Sequence, residues 1–282
     1  MIQIITDSMS DIHQEEAQNY ALTVLAQHVI LGPNSYLDGI DLSREAFYQW
    51  MSTANELPKT SQVSPDAYAE AFALATGRGD EVLCICGSSK LSGCYQSALI
   101  ARDMQAVDAP IFVIDSLQAS LSQQVLIWEA VRLRDAGESA PAIAEKISAL
   151  VSRVQLVGYV PDLKHLVMGG RLSAAKAHIG TTLNLRPMLR LHDGMLEQAG
   201  VTRGEKHCFE WIKKQYDAAP RDENYPIYLA SSNAPEKLAI FHRYLEREGL
   251  AGTPSTTISM GPVIGSHAGQ GVLALAWVKK DS

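Results

Sequence analysis

The chain has 282 residues, with 46% hydrophobic and 20% charged side chains and a formal net charge of −7. That composition excludes wholesale disorder and fibrous repeats, and the length points to two domains, because single cores stop growing near ~250 residues. The longest basic runs are the pairs Lys213-Lys214 and Lys279-Lys280, so a nucleic-acid partner is disfavoured; no run approaches the ~18 apolar residues of a membrane span, and the start MIQIITDSMSD has no leader-like basic and apolar regions. The expected location is the cytoplasm.

In chain order, IQIIT at the start reads as a strand, and Ser8 with Asp11 suggests a capping box opening the first helix. LTVLAQHVIL from Leu22 reads as the next strand. KTSQVSPD from Lys59 is a polar turn before a helix, with Ser64 as N-cap, Pro65 at the first helical position, Asp66 in the first turn and Gly77 at the close. VLCIC from Val82 is an unbroken apolar strand leading into the turn GSSKLSGCYQSA. IFVID from Ile111 ends similarly in the polar edge IDSLQAS. Apolar strands alternating with amphipathic helices indicate a mainly parallel sheet covered on both faces.

After VQLVGYV, from Val154, the texture changes to α+β. A Gly169-Gly170-Arg171 turn precedes a helical stretch around 173–183, and RPMLRLHDGMLEQAG reads as a hairpin turning at Asp193-Gly194. PIYLASS from Pro226, a helix over about 234–248, TTISM from Thr256 and VLALAWV complete the pattern. The expected organisation is an N-terminal α/β domain over 1–158 and a C-terminal α+β domain over 159–282.

Chemistry concentrates at the polar edges. In open α/β sheets ligands gather beyond the C-terminal ends of strands, where helix N-termini present free N–H groups. Ser88, Ser89 and Ser92 add hydroxyls there, and Gly93 permits close approach; such a turn suits a carboxylate or phosphate. Its bland alternative is one capping serine with solvated neighbours. Thr60, Ser61 and Ser64 of the second turn and Ser116 and Ser120 of the third can share one pocket mouth, although each turn alone would pass as a helix cap.

GSSKLSG has the wrong order for a phosphate-binding G-x-x-x-x-G-K-[ST] loop, and no G-x-G-x-x-G is present there. His267 in GSHAGQG is framed by Gly265, Gly269 and Gly271, as in a loop that presents an imidazole, whereas His165, His178, His192 and His207 lack that frame. Ser92, His267 and Asp7 or Asp115 supply the residue types of a hydrolase triad without a G-x-S-x-G elbow. Cys84, Cys86, Cys94 and Cys208 read as buried thiols, with neither disulfide nor zinc spacing.

The ordered segments TDSMSDI, KTSQVSP, SSKLSGCYQSA, IDSLQAS, LKHLVMGGRLSAAKAHIGTTLNLRPMLRLHDG, VTRGEKH and GSHAGQG resemble the DegV family along nearly the whole chain. That family includes the FakB fatty-acid-binding subunits of bacterial fatty acid kinase. The resemblance implies a carrier without cofactor or metal that buries one long-chain fatty acid, such as palmitate or oleate, in an apolar tunnel between the domains. It places Thr60, Ser92, Gly93 and His267 at the carboxylate, with Ser61, Ser116 and Ser120 as further candidates for the mouth. Arg171 and Arg203 fall where FakB members carry residues important for partnership with the ATP-dependent kinase subunit, which forms acyl-phosphate.

Cys94 replaces a common threonine, Val63 and Gln270 replace prolines, and Ser122 and Gln124 replace frequent glycines on a helix expected to line the tunnel. Altered acyl-chain preference is the expected consequence. Two other readings remain at this stage, a serine hydrolase using Ser92 and His267 and a binding module for a small polar metabolite.

Overall fold

The computed structural model describes residues 1–172 and 184–281. The helical stretch expected around 173–183, with His178, lies outside the described residues.

The unbroken apolar runs of the first half do form a parallel sheet. It has the order β2-β1-β6-β7, built from β1 (Ile2–Asp7), β2 (Leu22–Leu25), β6 (Glu81–Cys86) and β7 (Ile111–Asp115). Because side chains alternate across a strand, β6 feeds two cores at once. Val82, Cys84 and Cys86 pack with Tyr68, Phe72, Ala98 and Ala101 of α3 (Pro65–Gly77) and α4 (Cys94–Asp103). Leu83 and Ile85 pack on the opposite face with α5 (Leu121–Asp135) and α6 (Ala140–Leu150). All four cysteines are free and buried.

Two local expectations change. LTVLAQHVIL is two strands, because the chain breaks at Ala26-Gln27: the Gln27 N–H donates to Ser8 Oγ at 3.1 Å, and the Gln27 carbonyl accepts from the Asp38 N–H at 3.0 Å. Beyond the break, β3 (His28–Leu31) joins a separate antiparallel sheet with β4 (Asn34–Leu37) and β5 (Lys59–Ser61), in the order β4-β3-β5. Ser8 is therefore occupied and caps no helix. Asp7 caps a short 3-10 turn over Ser8–Ser10, Asp11 ends it in the left-handed region at φ 57°, and α1 (Gln14–Asn19) starts later. The helix α2 (Arg44–Thr53) follows β4. Ser64 caps α3 as expected, its Oγ accepting the Ala67 N–H at 3.2 Å.

The second half centres on a six-stranded sheet of order β10-β9-β8-β13-β11-β12. Its strands are β8 (Val154–Tyr159), β9 (Leu185–His192), β10 (Met195–Arg203), β11 (Ile227–Ser231), β12 (Ser255–Ser259) and β13 (Leu273–Val278). The β9–β10 hairpin turns at Asp193 and Gly194, both with positive φ, 47° and 79°, as a two-residue type I′ turn requires. Of its helices, α7 (Lys164–Met168) follows β8, while α8 (Glu205–Ala218) and α9 (Pro235–Leu245) cover one face through Phe209, Ile212 and Phe241. The short α10 (Pro262–Ala268) precedes β13.

The uncovered face of this sheet turns toward α5. Leu126, Ile127 and Ala130 share one apolar cluster with Leu83 and Ile85 of the first sheet and with Ala230, Ala274 and Ala276 of the second. Polar positions of α5 are tied down. Gln124 donates to the Ser10 carbonyl at 2.8 Å and accepts from Trp128 Nε1 at 3.1 Å, Gln123 donates to Thr6 Oγ1 at 3.0 Å, and Ser122 Oγ donates to the Ala119 carbonyl at 2.8 Å.

Replacing Gln124 by Ala strips partners from a buried carbonyl and an indole N–H and should cost about 1–3 kcal/mol. Urea unfolding should show a lower midpoint at unchanged slope, and an unchanged midpoint would contradict the assigned bonds.

Candidate functional site

The three serines that precede the helix in GSSKLSGCYQSA, Ser88, Ser89 and Ser92, have three different roles. Ser88 is fully buried and its Oγ donates across to the Gly194 carbonyl at 2.7 Å, joining the turn to the β9–β10 hairpin. Ser89 is exposed, and its N–H donates to Asp115 Oδ1 at 3.1 Å. Ser92 stands at the start of α4, where its Oγ accepts the Cys94 N–H at 3.4 Å and donates to Cys94 Sγ at 3.2 Å. Cys94 is thus a buried thiol beneath the serine; burial, first, and the Asp7 charge raise its pKa and keep it protonated.

Gly93 is needed for close approach. A Cβ there would fall 1.8 Å from Gln62 Oε1, and the same Gln62 side chain donates to Ser97 Oγ at 2.8 Å. This contact joins the KTSQ strand to the LSG turn.

Thr60, in the middle of β5, reaches the other partner. Its Oγ1 lies 2.7 Å from His267 Nε2. His267 sits in the last turn of α10, not in a loop, with Gly265 inside the helix and Gly269 just beyond it at φ 78°. On its other side the ring packs against backbone. A Cβ at Gly169 would be 2.6 Å from His267 Nδ1, and that buried nitrogen has no hydrogen-bond partner. Burial, the Arg171 guanidinium and His165 together hold the imidazole down at about 4, so it is neutral at pH 7.

Arg171 completes the ring of polar groups. Its Nε donates to the Leu91 carbonyl at 2.9 Å and its Nη1 to the Gly169 carbonyl at 2.6 Å, tying the GGR turn to the serine turn. Thr60, Ser61, Gln62, Ser92, Gly93, Arg171 and His267 all line one cavity of about 380 Å³. Elsewhere its wall is mostly apolar, with Leu121, Val160, Leu166, Leu189, Val263 and Val272 drawn from both halves of the chain. The volume lies in the range of small-molecule sites.

Other singled-out residues are placed differently. Ser120 lines the cavity, but its hydroxyl donates to Asp11 Oδ2. Ser116 is wholly buried in its own turn, where its Oγ accepts the Gln118 N–H at 3.0 Å, and it is not among the described residues that line the cavity. Arg203 is exposed at the end of β10. On α5 the cavity reaches only Leu121, so Ser122 and Gln124 do not shape its wall as expected from the sequence. Gln270 instead braces α10, donating to the Tyr48 carbonyl and accepting from Asn233, each at 3.2 Å.

The hydrolase geometry is missing. Asp7 accepts from the N–H groups of Met9 and Gly87, Asp115 from those of Ser89 and Leu117, and neither reaches His267. Ser92 hydrogen-bonds to Cys94 and not to the imidazole. Among the described residues there is no cluster of three or more His, Cys, Asp or Glu fit for a metal ion, and no helix is long and apolar enough to cross a membrane.

Gln62 lines the cavity without any signal in its residue type, and Asp11, which carries capping-box spacing in the sequence, instead holds the Ser120 hydroxyl at the cavity wall. The assembled site joins neutral hydroxyls, a neutral imidazole and the Arg171 guanidinium to a mostly apolar cavity that Gln27 and Arg190 also line, which suits a molecule with a small acidic head and a long hydrocarbon tail.

The depressed His267 pKa has a pH consequence. Its stabilising contribution is present above pH 6.5, where the unfolded ring is also neutral, and is lost as pH falls toward 4. An NMR titration should show this ring uncharged at pH 5.5, and a midpoint near 6.5 would show that it is solvated.

The model of the DegV protein family matches residues 1–280. The DegV domain-containing protein YteA of Lactococcus lactis is 32% identical over 99% of this chain and 98% of its own length. Among solved structures, the fatty-acid-binding DegV family protein of Thermus thermophilus is 30% identical with a TM-score of 0.89, each chain being 99% covered. A stearic-acid-binding protein from Eubacterium ventriosum is 27% identical with a TM-score of 0.90, again with 99% of each chain covered. With the family model spanning all but the last two residues, and with the same fold in these relatives, the chain belongs to the DegV family.

Proposed function

We propose that the protein is a carrier that binds one long-chain fatty acid, tail in the apolar cavity and carboxyl at Thr60, Ser92, Gly93 and His267. The observation that carries this reading is the short Thr60–His267 contact set at the polar end of an otherwise apolar cavity. With the Nε2 proton on the ring, His267 donates to Thr60 Oγ1 and leaves the threonine hydroxyl free to donate to a carboxylate. Ser92 can turn its hydroxyl from the weak sulfur acceptor to the stronger carboxylate. The fatty-acid-binding relatives from T. thermophilus and E. ventriosum support the ligand class.

The energetics suit a carrier. Burial of the tail contributes about 0.8 kcal/mol per CH₂, so the head group needs orientation more than a strong ion pair. A carboxylate held by neutral donors keeps an oxygen available to attack the γ-phosphorus of ATP on a partner kinase, giving acyl-phosphate and ADP. Such a protein presents a substrate and performs no chemistry of its own.

Native mass spectrometry of the purified protein should find a fatty acid, and Thr60→Ala or Ser92→Ala should weaken its retention by about 1–3 kcal/mol each. Persistent absence of lipid, with no binding of added palmitate or oleate, would sink the reading; binding of small polar carboxylates in their place would favour a metabolite site.

Docking to the kinase rests on Arg171 and Arg203. Arg171 also holds the Leu91 and Gly169 carbonyls, so its replacement disturbs the head-group site itself. Arg203 separates the two roles, being exposed on β10. Arg203→Ala should retain fatty acid as well as the wild type while lowering acyl-phosphate formation by the partner kinase, and a loss of lipid affinity in that variant would contradict the assignment.

A further inference from the structure

Helix α10 starts with Pro262, which has no N–H, so its first cappable amides are those of Gly261 and Val263. No neighbour in sequence caps them. Asp11 Oδ1 accepts the Gly261 N–H at 2.7 Å across 250 residues of chain, and the Val263 N–H faces the Asp38 carboxylate and favours its charge. Asp11 is itself pinned, with its second oxygen on Ser120 Oγ and its carbonyl accepting from Arg44 Nη2 at 2.6 Å. The fit is close: a Cβ on Gly261 would lie 3.1 Å from Asp11 Oδ1, 3.4 Å from Arg44 Nε and 3.6 Å from Asp38 Oδ1.

The same helix is pressed onto α2. Tyr48 donates to the Met260 carbonyl at 3.0 Å, and a Cβ on Gly265 would be 2.7 Å from Phe47 Cε1. His267 stands at the far end, four residues or about 6 Å along the axis from Val263. We propose that Asp11 and Asp38 are positioning residues of the head-group site: capping α10 from the first half of the chain, they set the height and rotation at which it brings His267 to Thr60. The role rests on the head-group reading only for its effect on lipid.

A second cavity of about 250 Å³, lined by Asp11, Asp38, His13, Arg44 and Glu45 among others, adjoins these caps. Burial raises Asp11 to about 6, and burial with the Asp11 charge raises Asp38 to about 7, while Arg44 opposes both. The test therefore compares variants whose caps differ while His267 and its own neighbours, Arg171 and His165, are untouched.

In ligand-free full-length protein, Asp11→Ala should move the His267 NMR midpoint from about 4 toward the ordinary value of 6.5, because the freed helix end lets water reach the ring. Asp11→Asn keeps an acceptor for the Gly261 N–H and should stay close to the wild-type midpoint. A folded Asp11→Ala protein whose His267 still titrates at about 4 overturns the proposal. Should that variant fail to fold, Asp38→Ala carries the same expectation, and an unchanged midpoint there overturns it equally. Fluorescent fatty acid should leave Asp11→Ala about tenfold faster than wild type. If the wild type binds no fatty acid while the midpoint still moves, the lipid reading falls and the positioning role stands.

Discussion

Helix α5 has two sheets to satisfy, and the arrangement of the molecule follows from that. One side meets Leu83 and Ile85 of the parallel sheet, the other Ala230, Ala274 and Ala276 of the six-stranded sheet. A helix covered on both sides makes unpaired polar groups costly, and Ser122 Oγ, Gln123 Nε2 and Gln124 Nε2 each have a hydrogen-bond partner, while Gln123 Oε1 is buried without one. The cavity lies where this filling stops. Its wall takes Ala119, Ser120 and Leu121 from the entrance to the helix and nothing from α5 further on.

The polar end of the cavity is assembled by contacts that cross between the halves of the chain. Thr60 meets His267, Arg171 holds the Leu91 carbonyl, Ser88 holds the Gly194 carbonyl, and Asp11 holds the Gly261 N–H. Each is a hydrogen bond with at least one buried or partly buried partner, so its loss leaves an unmet group as well as a weaker contact. The candidate site and the adhesion of the two halves of the chain therefore share residues.

Legibility from sequence differed by element. The apolar runs VLCIC and IFVID, the Ser64-Pro65-Asp66 cap and the Asp193-Gly194 hairpin were readable because each is set by local stereochemistry and period. LTVLAQHVIL misled because its apolar pattern continues through Gln27, and only Ser8 and Asp38, distant in sequence, reveal the break. Ser8 and Asp11 carried capping-box spacing but were recruited by Gln27, Ser120 and Gly261 instead. GSHAGQG looked like a loop for its glycines, although Gly265 is inside α10 to allow close packing on Phe47 and Tyr48.

By itself the sequence determined the alternation of strands and helices, the polar edges beyond the strand ends, and, through seven ordered motifs, the family. These depend on neighbours in the chain, or on residue order, which a sequence displays directly. Only the tertiary structure decided that Ser116 is buried away from the cavity, that Arg171 belongs to its wall, and that the His267 imidazole is neutral. Desolvation and hydrogen-bond partnership are set by what packs around a group, and the contacts that join the two halves at this site span 80 to 250 residues.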